Sequence, residues 1–190
     1  MPVTVPGVTA AVSSNLSATG NLGTSMPQLA AGVATGVCMW TPQVVVMTID
    51  AGTLGAGSGG PLPVMIPPAT MLGAMQAGFA SFGLLGAMAA PLATGLANGL
   101  VLAYSQALVK TTHAAVGVGS GTATFRAPPA GPSMVAGFKS AGLVGQSTEQ
   151  IALAVGQALD TVFASLVMPI PIVGSASPSA GSGTGVGQII

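Results

Sequence analysis

Residues able to perform acid–base chemistry are few in this 190-residue chain, and they are far apart. It contains one histidine, His113, and three carboxylates, Asp50, Glu149 and Asp160. A general base must reach the proton that it removes, and paired carboxylates must face each other across a substrate. No spacing that would place these residues together can be read from the sequence. We therefore expect His113 to be a strand or interface residue, no residue to be catalytic, and the protein not to be an enzyme.

Glycine runs are the second feature with a possible chemical role, because glycine loops can hold nucleotide phosphates. The runs at 52–57 and 117–119 follow a helix-like segment and precede an apparent strand, with no lysine beside them. A dinucleotide loop has the reverse order, and a phosphate loop needs Gly-Lys-Ser/Thr. The single cysteine, Cys38, excludes an internal disulfide and a multi-cysteine metal site. We predict turns, with no cofactor and no bound metal.

Ionised side chains make up only 3% of the chain, and the net charge is zero. The charged residues are Asp50, Lys110, Arg126, Lys139, Glu149 and Asp160. This leaves no basic surface for nucleic acid. Half of the residues are hydrophobic and the mean hydropathy is +0.79, which favours burial over disorder. An uncharged surface favours association, so we expect other subunits of a large assembly as partners.

Asp160 stands out among these charges because its segment is strongly apolar. A buried carboxylate requires a compensating partner. We predict that Asp160 pairs with Lys139 or Lys110. Trp40 and Tyr104 each occur once, and they fit either core packing or a position at an interface or a bilayer boundary.

Three landmarks recur in the same order along the chain. The segment AGFASFGLLG at 77–86 returns as AGFKSAGLVG at 136–145, with Gly20, Leu22 and Gly23 as a weaker first counterpart. A Leu-Ala-x-Gly motif begins at 29, 92 and 153, and Gly-Ser-Gly begins at 57, 119 and 181. Fixed order at near-constant spacing indicates tandem repeats. We predict three units at 1–66, 67–127 and 128–190.

Each unit has the pattern of two helices followed by a β-hairpin. Segments 71–90 and 134–146 are predicted first helices with Thr70 and Ser133 as N-caps. A second helix begins at a capping box, in which a serine is followed three residues later by a glutamine. The predicted caps are Ser25, Gln28, Ser147 and Gln150. The predicted hairpin turns are at Gly57, Gly59, Gly119, Gly121, Gly181 and Gly183.

The predicted fold class is therefore α+β, with three tandem helix–helix–hairpin units packed together or on partner subunits. In the second helices, Gly32-x-x-x-Gly36 and Gly95-x-x-x-Gly99 put small residues on one face. Such faces permit close contact between helices. Little area is buried per residue by glycine and alanine, so we expect the units to depend on one another or on partners.

The stretch Leu92-Ala-Thr-Gly-Leu-Ala-Asn-Gly99 and the ending Gly181-Ser-Gly-Thr-Gly-Val-Gly187 give the chain a repetitive, nearly uncharged texture. In this the chain resembles the Gly/Ala-rich tandem-repeat structural proteins of bacteriophage tails and baseplates. The resemblance implies a structural role in a virion or related contractile injection machine, assembled in the host cytoplasm. A triplicated chain would suit a threefold or sixfold axis.

The alternative is an integral membrane protein, pore-forming or holin-like, in the inner membrane. Residues 71–90 form twenty uncharged residues, which is long enough to cross a bilayer as a helix. Small residues also suit tight packing between membrane helices. Against this, the matching segment of the third unit is shorter and carries Lys139.

Overall fold

The computed structural model describes the backbone of residues 3–21, 23–43, 45–53, 56–63, 67–105, 107–113, 118–164, 167–176 and 181–188. Side chains are described for residues 3–21, 23–43, 67–105, 107 and 127–164. The order of elements is helix, helix, strand, strand, three times over. A short 3₁₀ helix, Thr41–Gln43, precedes the first strand.

Six helices form the body of the protein. They are α1 (Val5–Ala18), α2 (Met26–Trp40), α3 (Pro68–Ser81), α4 (Ala89–Tyr104), α5 (Ala130–Ser140) and α6 (Gln146–Ala164). Proline in the first turn starts α1, α2 and α3, where its missing N–H costs no hydrogen bond. The Thr4 hydroxyl also caps α1 by accepting from the Gly7 backbone N–H at 3.3 Å.

The first helix of every unit ends in the same backbone turn. Gly20, Gly83 and Gly142 follow α1, α3 and α5, with φ values of +79°, +73° and +77°. The next residue donates its N–H to the carbonyl five residues back in each case, at 2.9, 3.0 and 2.9 Å. This is the 6→1 bond of a Schellman cap, which requires a left-handed residue and so favours glycine. The three units therefore share one local structure.

The helices pack side by side in a closed ring, each against its two neighbours in chain order, with α6 against α1. Two contacts between successive units are made almost backbone to backbone. Gly78 of α3 faces α2, where an added Cβ would lie 2.7 Å from the Gly36 nitrogen. Gly137 of α5 faces α4, where the corresponding distance to the Gly99 Cα is 2.6 Å. The prediction that the glycine faces of α2 and α4 permit close helix contact is confirmed.

The core of the ring follows the repeat as well. Its first helices bury one residue per turn: Val8, Val12 and Leu16 in α1, Met71, Met75 and Phe79 in α3, and Ala130, Met134 and Phe138 in α5. Each set has the four-residue spacing that places side chains on one helix face. The second helices bury their own apolar faces opposite them. At equivalent positions the three units bury side chains of different volume, and all of these side chains lie inside the ring of helices.

The described residues also include six strands, one pair after each second helix: β1 (Val45–Thr53), β2 (Ala56–Pro63), β3 (Leu108–His113), β4 (Val118–Arg126), β5 (Val167–Ala176) and β6 (Gly181–Gln188). Neighbours pair antiparallel in chain order, and β1 pairs with β6, so the strands close into a barrel. A register shift interrupts the β2–β3 pairing between Gly59 and Leu62.

The predicted α+β fold of separate helix–helix–hairpin units is wrong. The residues whose side chains are described are 78% helix, in six helices, with no strand or sheet among them. Close glycine contacts let helix packing alone complete this core, so it needs no sheet packed against it. The strand pairs of the three units are joined edge to edge in one closed barrel, so they are not separate hairpins. The unit boundaries predicted at 66/67 and 127/128 fall between β2 and α3 and between β4 and α5, and they stay a prediction.

The glycines predicted as hairpin turns lie inside strands. Gly57 and Gly59 belong to β2, Gly119 and Gly121 to β4, and Gly181 and Gly183 to β6. Residues 54–55, 114–117 and 177–180, which precede the three Gly-Ser-Gly motifs, lie outside those described. Glycine weakens a strand interior, which is why a sequence reading places Gly-Ser-Gly in a turn. The three motifs nevertheless occupy similar places, at or next to the start of the second strand of each pair.

Candidate assembly surface

Side chains with acid–base or metal-binding potential do not cluster in the described part of the chain. No group of three or more His, Cys, Asp or Glu residues lies together among the residues described. The side chains of His113 and Asp50 lie outside the described set, so the prediction for His113 stays a prediction. Cys38 is half-buried, with its thiol 3.7 Å from the Val3 carbonyl, and burial raises its pKa.

Asp160 has a structural partner that is not a lysine. Both of its carboxylate oxygens accept a hydrogen bond from the Ala130 backbone N–H, each at 3.0 Å. Ala130 is the first residue of α5, whose N-terminus has no side-chain cap of its own. Asp160 therefore caps α5 from the neighbouring helix, where a carboxylate also suits the helix dipole. The predicted pairing with Lys139 is not seen, and the Lys110 side chain lies outside those described.

The Asp160 carboxyl is half-buried, and this governs its ionisation. Burial raises its pKa, and the hydrogen bond from Ala130 partly opposes that change. The nearby Tyr104 hydroxyl has a pKa well above its ordinary range, chiefly because it is fully buried and also because Asp160 lies close by. Packing in the ring therefore governs the ionisation of both groups.

Three aromatic rings meet where the second helices end. Trp40 and Tyr104 stack with centroids 6.1 Å apart, and Phe163 lies 4.8 Å from Tyr104 and 6.5 Å from Trp40. All three are essentially unexposed. Of the two earlier alternatives for Trp40 and Tyr104, core packing is confirmed. The Trp40 Nε1 has no hydrogen-bond acceptor within the described residues.

This aromatic cluster identifies the two ends of the helical ring. It joins the C-terminal ends of α2, α4 and α6, so their N-terminal ends lie together about 22–28 Å away, given 15 to 19 residues per helix. The described links that precede those N-termini are residues 19–21 with 23–25, 82–88 and 141–145. We call the surface formed by these links the loop face.

The loop face carries most of the exposed large apolar side chains. Among the described residues there are six such side chains, and four of them, Phe82, Leu85, Met88 and Val144, belong to these links. Leu85 and Val144 are the most exposed, at 74% and 75%. They hold the same position, two residues after the turn glycine of their units. Grouped apolar exposure of this kind marks interaction surfaces.

Two matching depressions border the loop-face links, and Leu85 lines the one in the second unit. One, of about 150 Å³, lies in the first unit, and the other, of about 230 Å³, lies in the second. Six positions line both at an offset of 63 residues: Ser13, Leu16, Asn21, Gly23, Met26 and Pro27, and then Gln76, Phe79, Leu84, Gly86, Ala89 and Ala90. The loop face thus combines protruding apolar side chains with recesses about the size of one side chain.

Two charges of opposite sign border this face in the third unit. Lys139 is in the last turn of α5 and Glu149 in the first turn of α6, on either side of the link 141–145. Both side chains are exposed, and neither has a hydrogen bond or an ion pair within the described residues. Each suits the dipole of its own helix.

The predicted capping boxes are not formed. Ser25 is the N-cap residue of α2, as predicted, but it adopts a helical conformation and its side chain makes no cap hydrogen bond. Gln28 is exposed. Ser147 and Gln150 lie inside α6, which already begins at Gln146. Each second helix follows the Schellman turn after a short, compact link. The residues at the start of the helix therefore offer serine no position with the extended backbone that an N-cap requires.

The segment 71–90 is not one helix. It is divided between α3 and α4 by the link 82–88, where Gly83 ends α3. None of the helices described is both long enough and apolar enough to cross a bilayer. Thr70 and Ser133, the predicted caps of the first helices, lie within α3 and α5, whose N-cap residues are Pro67 and Pro129.

No protein-family model, no curated protein and no solved structure matches this chain.

Proposed function

We propose that this protein is a structural assembly protein of a large symmetric particle, a bacteriophage virion or a related contractile injection machine. Its place would be in the tail, baseplate or neck. It works through contacts with other subunits, and it uses no catalytic residue, cofactor or metal. The supporting observation is that one chain closes a ring of three similar helix pairs, each with the same Schellman turn.

A ring of this kind gives one polypeptide approximate threefold surroundings. Symmetric assemblies need equivalent surface patches repeated around an axis. Here the turns at Gly20, Gly83 and Gly142 and the two matching depressions supply such repeats covalently. One copy of the chain can therefore occupy a threefold axis where a homotrimer would need three copies.

The near absence of charge supports the same role. Only Lys139, Glu149 and Asp160 are charged among the residues whose side chains are described, and Asp160 is engaged in capping α5. A surface with so few ionised groups is poorly protected against association. In a virion such a surface would be covered by neighbouring subunits.

The test is stoichiometry in purified particles. Particles banded on a density gradient would be analysed by quantitative mass spectrometry, with immunogold electron microscopy to locate the protein. We expect the chain in intact particles at one copy for every three copies of the subunit it contacts on a threefold axis, or one for every six on a sixfold axis. Absence from the particles, or recovery in a membrane fraction resistant to carbonate, would contradict the proposal.

A further inference from the structure

The loop face has the composition of an interface, and its occupant can be inferred from its chemistry. We propose that it docks a second copy of this chain, face to face, as a two-fold symmetric dimer. The inference stands apart from the proposed function, because a particle component can be monomeric or dimeric before it assembles.

The first argument is that the face contains both parts of an apolar contact. Leu85 and Val144 protrude, with about three quarters of each side chain exposed. The links of the first and second units border depressions of about 150 and 230 Å³ on the same face. A surface that carries both protrusions and recesses can complement itself, as a two-fold contact requires.

The second argument is charge complementarity. The described loop-face links carry no charge, and Lys139 and Glu149 border them with opposite signs. In a two-fold contact every pair of residues occurs twice: if residue i of one copy contacts residue j of the other, then residue j of the first copy contacts residue i of the second. Lys139 of each copy can then meet Glu149 of the other, so that both charges are paired. A strongly charged partner would leave this face without matching charges.

The third argument concerns size. Six helices in a ring, about 9 Å apart and about 10 Å wide, present an end about 28 Å across, or on the order of 600 Å². Two such ends bury about 1,200 Å² in total, which is the lower limit for specific, stable interfaces. The face is thus just large enough for a specific dimer.

These arguments agree on one position for the two-fold axis. If it passes through the third unit, Val144 lies against its counterpart and each Lys139 faces the other copy's Glu149. The second unit then faces the first unit of the other copy. Leu85 would enter the first-unit depression, which is lined by Leu16, Met26 and Pro27.

The first experiment measures the mass of the full chain by sedimentation equilibrium from about 1 to 200 µM. We expect a reversible dimer. The double substitution Leu85→Asn and Val144→Asn should raise the dissociation constant at least tenfold, because it removes the two most exposed apolar side chains of the face from the contact. Leu102→Asn is the matched control, since Leu102 is also exposed but lies near the C-terminal end of α4. It should leave the dissociation constant unchanged.

The second experiment exchanges the charges. Lys139→Glu places glutamate opposite glutamate twice in the dimer, and it should weaken association about three- to tenfold. Adding Glu149→Lys restores opposite charges and should return the dissociation constant to the wild-type value. Both residues are exposed, and circular dichroism would verify that each variant is folded.

Three results would overturn the proposal. One is a chain that stays monomeric at 200 µM, and another is a dimer that tolerates the double asparagine substitution. The third is a dimer that Lys139→Glu leaves unchanged, or that Glu149→Lys does not rescue. A monomer that floats with neutral phosphatidylcholine vesicles would instead assign the loop face to lipid.

Discussion

The closest contact between successive units makes Gly78→Ala a sharp test of the ring. Gly78 lies in α3 against α2, and an added Cβ would overlap the Gly32 carbonyl oxygen and lie 2.7 Å from the Gly36 nitrogen. Real Cβ atoms essentially never approach backbone atoms so closely. Because the obstructing atoms belong to the backbone, no side-chain rotation can relieve the overlap, and α2 and α3 must move apart.

The size of the effect follows from two opposing contributions. Alanine is better than glycine inside a helix by about 1 kcal/mol. Overpacking a tight interior costs about 1–3 kcal/mol. A clash with two backbone atoms of α2 should have a cost at the upper end of this range. We expect Gly78→Ala to lower the free energy of unfolding by about 1–2 kcal/mol net. For a chain of this size that corresponds to a fall in Tm of about 2–8 °C.

The matched control lies on the same helix. Gly73 of α3 has no atom within 4 Å of an added Cβ, so Gly73→Ala gains helix propensity without a clash. It should raise the free energy of unfolding by about 0.5–1 kcal/mol. Thermal and urea unfolding followed by circular dichroism at 222 nm would measure both variants. If Gly78→Ala proves as stable as Gly73→Ala, then α2 and α3 do not pack through their backbones and the described ring is incorrect.

Three further predictions concern single features. Gly83→Ala should lower the free energy of unfolding by about 1–2 kcal/mol, because φ is +73° at this position, even though there is space for the added Cβ. Its control is Gly86→Ala, at an open position without positive φ, which should change the free energy of unfolding by less than about 0.5 kcal/mol. Urea titrations would measure both variants. The raised pKa of Asp160 means that the part of the stability linked to its protonation is fully present below the ordinary carboxyl value of 3.8 and is lost as pH rises through the folded pKa. The hydrogen bond that its oxygens accept from Ala130 is separate from this and is available in either protonation state. Asp160→Asn keeps an acceptor for Ala130 but does not titrate, so it should remove this pH dependence from unfolding curves measured from pH 3 to 7. Asp160→Ala should lower the free energy of unfolding by about 1 kcal/mol at pH 7 through loss of the cap. Equal stability of the two variants would contradict the capping role. Trp40, the one tryptophan, should emit at short wavelength and resist acrylamide quenching until the chain unfolds, since its ring is unexposed, and a native spectrum equal to that of free tryptophan would disprove the aromatic cluster.

The parts of the fold that sequence reasoning identified are those with a direct steric cause. Gly32 and Gly36 have helical spacing, and small side chains on one face permit a close neighbour whatever the rest of the fold is. The repeated segments at 77–86 and 136–145 carry the same turn because Gly83 and Gly142 must adopt positive φ. These inferences depend on local geometry, which a short motif specifies.

Other features depended on context that the sequence does not display. No bounds were predicted for helix α1, because its apolar residues are interleaved with serine and threonine and only the ring shows what Val8 and Val12 contact. The segment 71–90 has uniform apolar composition, so its division at Gly83 carries no hydropathy signal. Asp160 was recognised as a carboxylate in need of a partner, but the partner is the Ala130 backbone, and backbone groups are invisible to a search for opposite charges.

The loop face could not have been predicted for a similar reason. Leu85 and Val144 read as ordinary apolar helix residues when the first helix is extended to residue 90 or 146. Only the Schellman turns reveal that these positions lie beyond the helix ends and point away from the core. The signal available in the sequence was the shared glycine five residues after Gly78 and Gly137, which fixes where each first helix must stop.

Joining three units in one chain allows differences that a homotrimer forbids. Identical subunits would place three copies of one side chain at the axis, whereas here Trp40, Tyr104 and Phe163 fill it with rings of different size.

The contact between α6 and α1 also differs from the contacts α2–α3 and α4–α5. Counting back five residues from the turn glycine leads to Gly78 and Gly137 in α3 and α5, but to Asn15 in α1, whose amide bonds to its own helix at the Ala11 carbonyl. The ring is therefore closed by a looser contact where the chain's first and last helices meet.

If that contact is the weakest, Asn15→Gly should allow α1 and α6 to approach more closely. The closer packing would offset part of the cost of glycine in a helix interior. The substitution should then destabilise the protein by clearly less than the roughly 1 kcal/mol expected at an exposed helix site. A full loss in urea unfolding would show that α1 and α6 cannot approach more closely, and that the asymmetry is fixed by the rest of the ring.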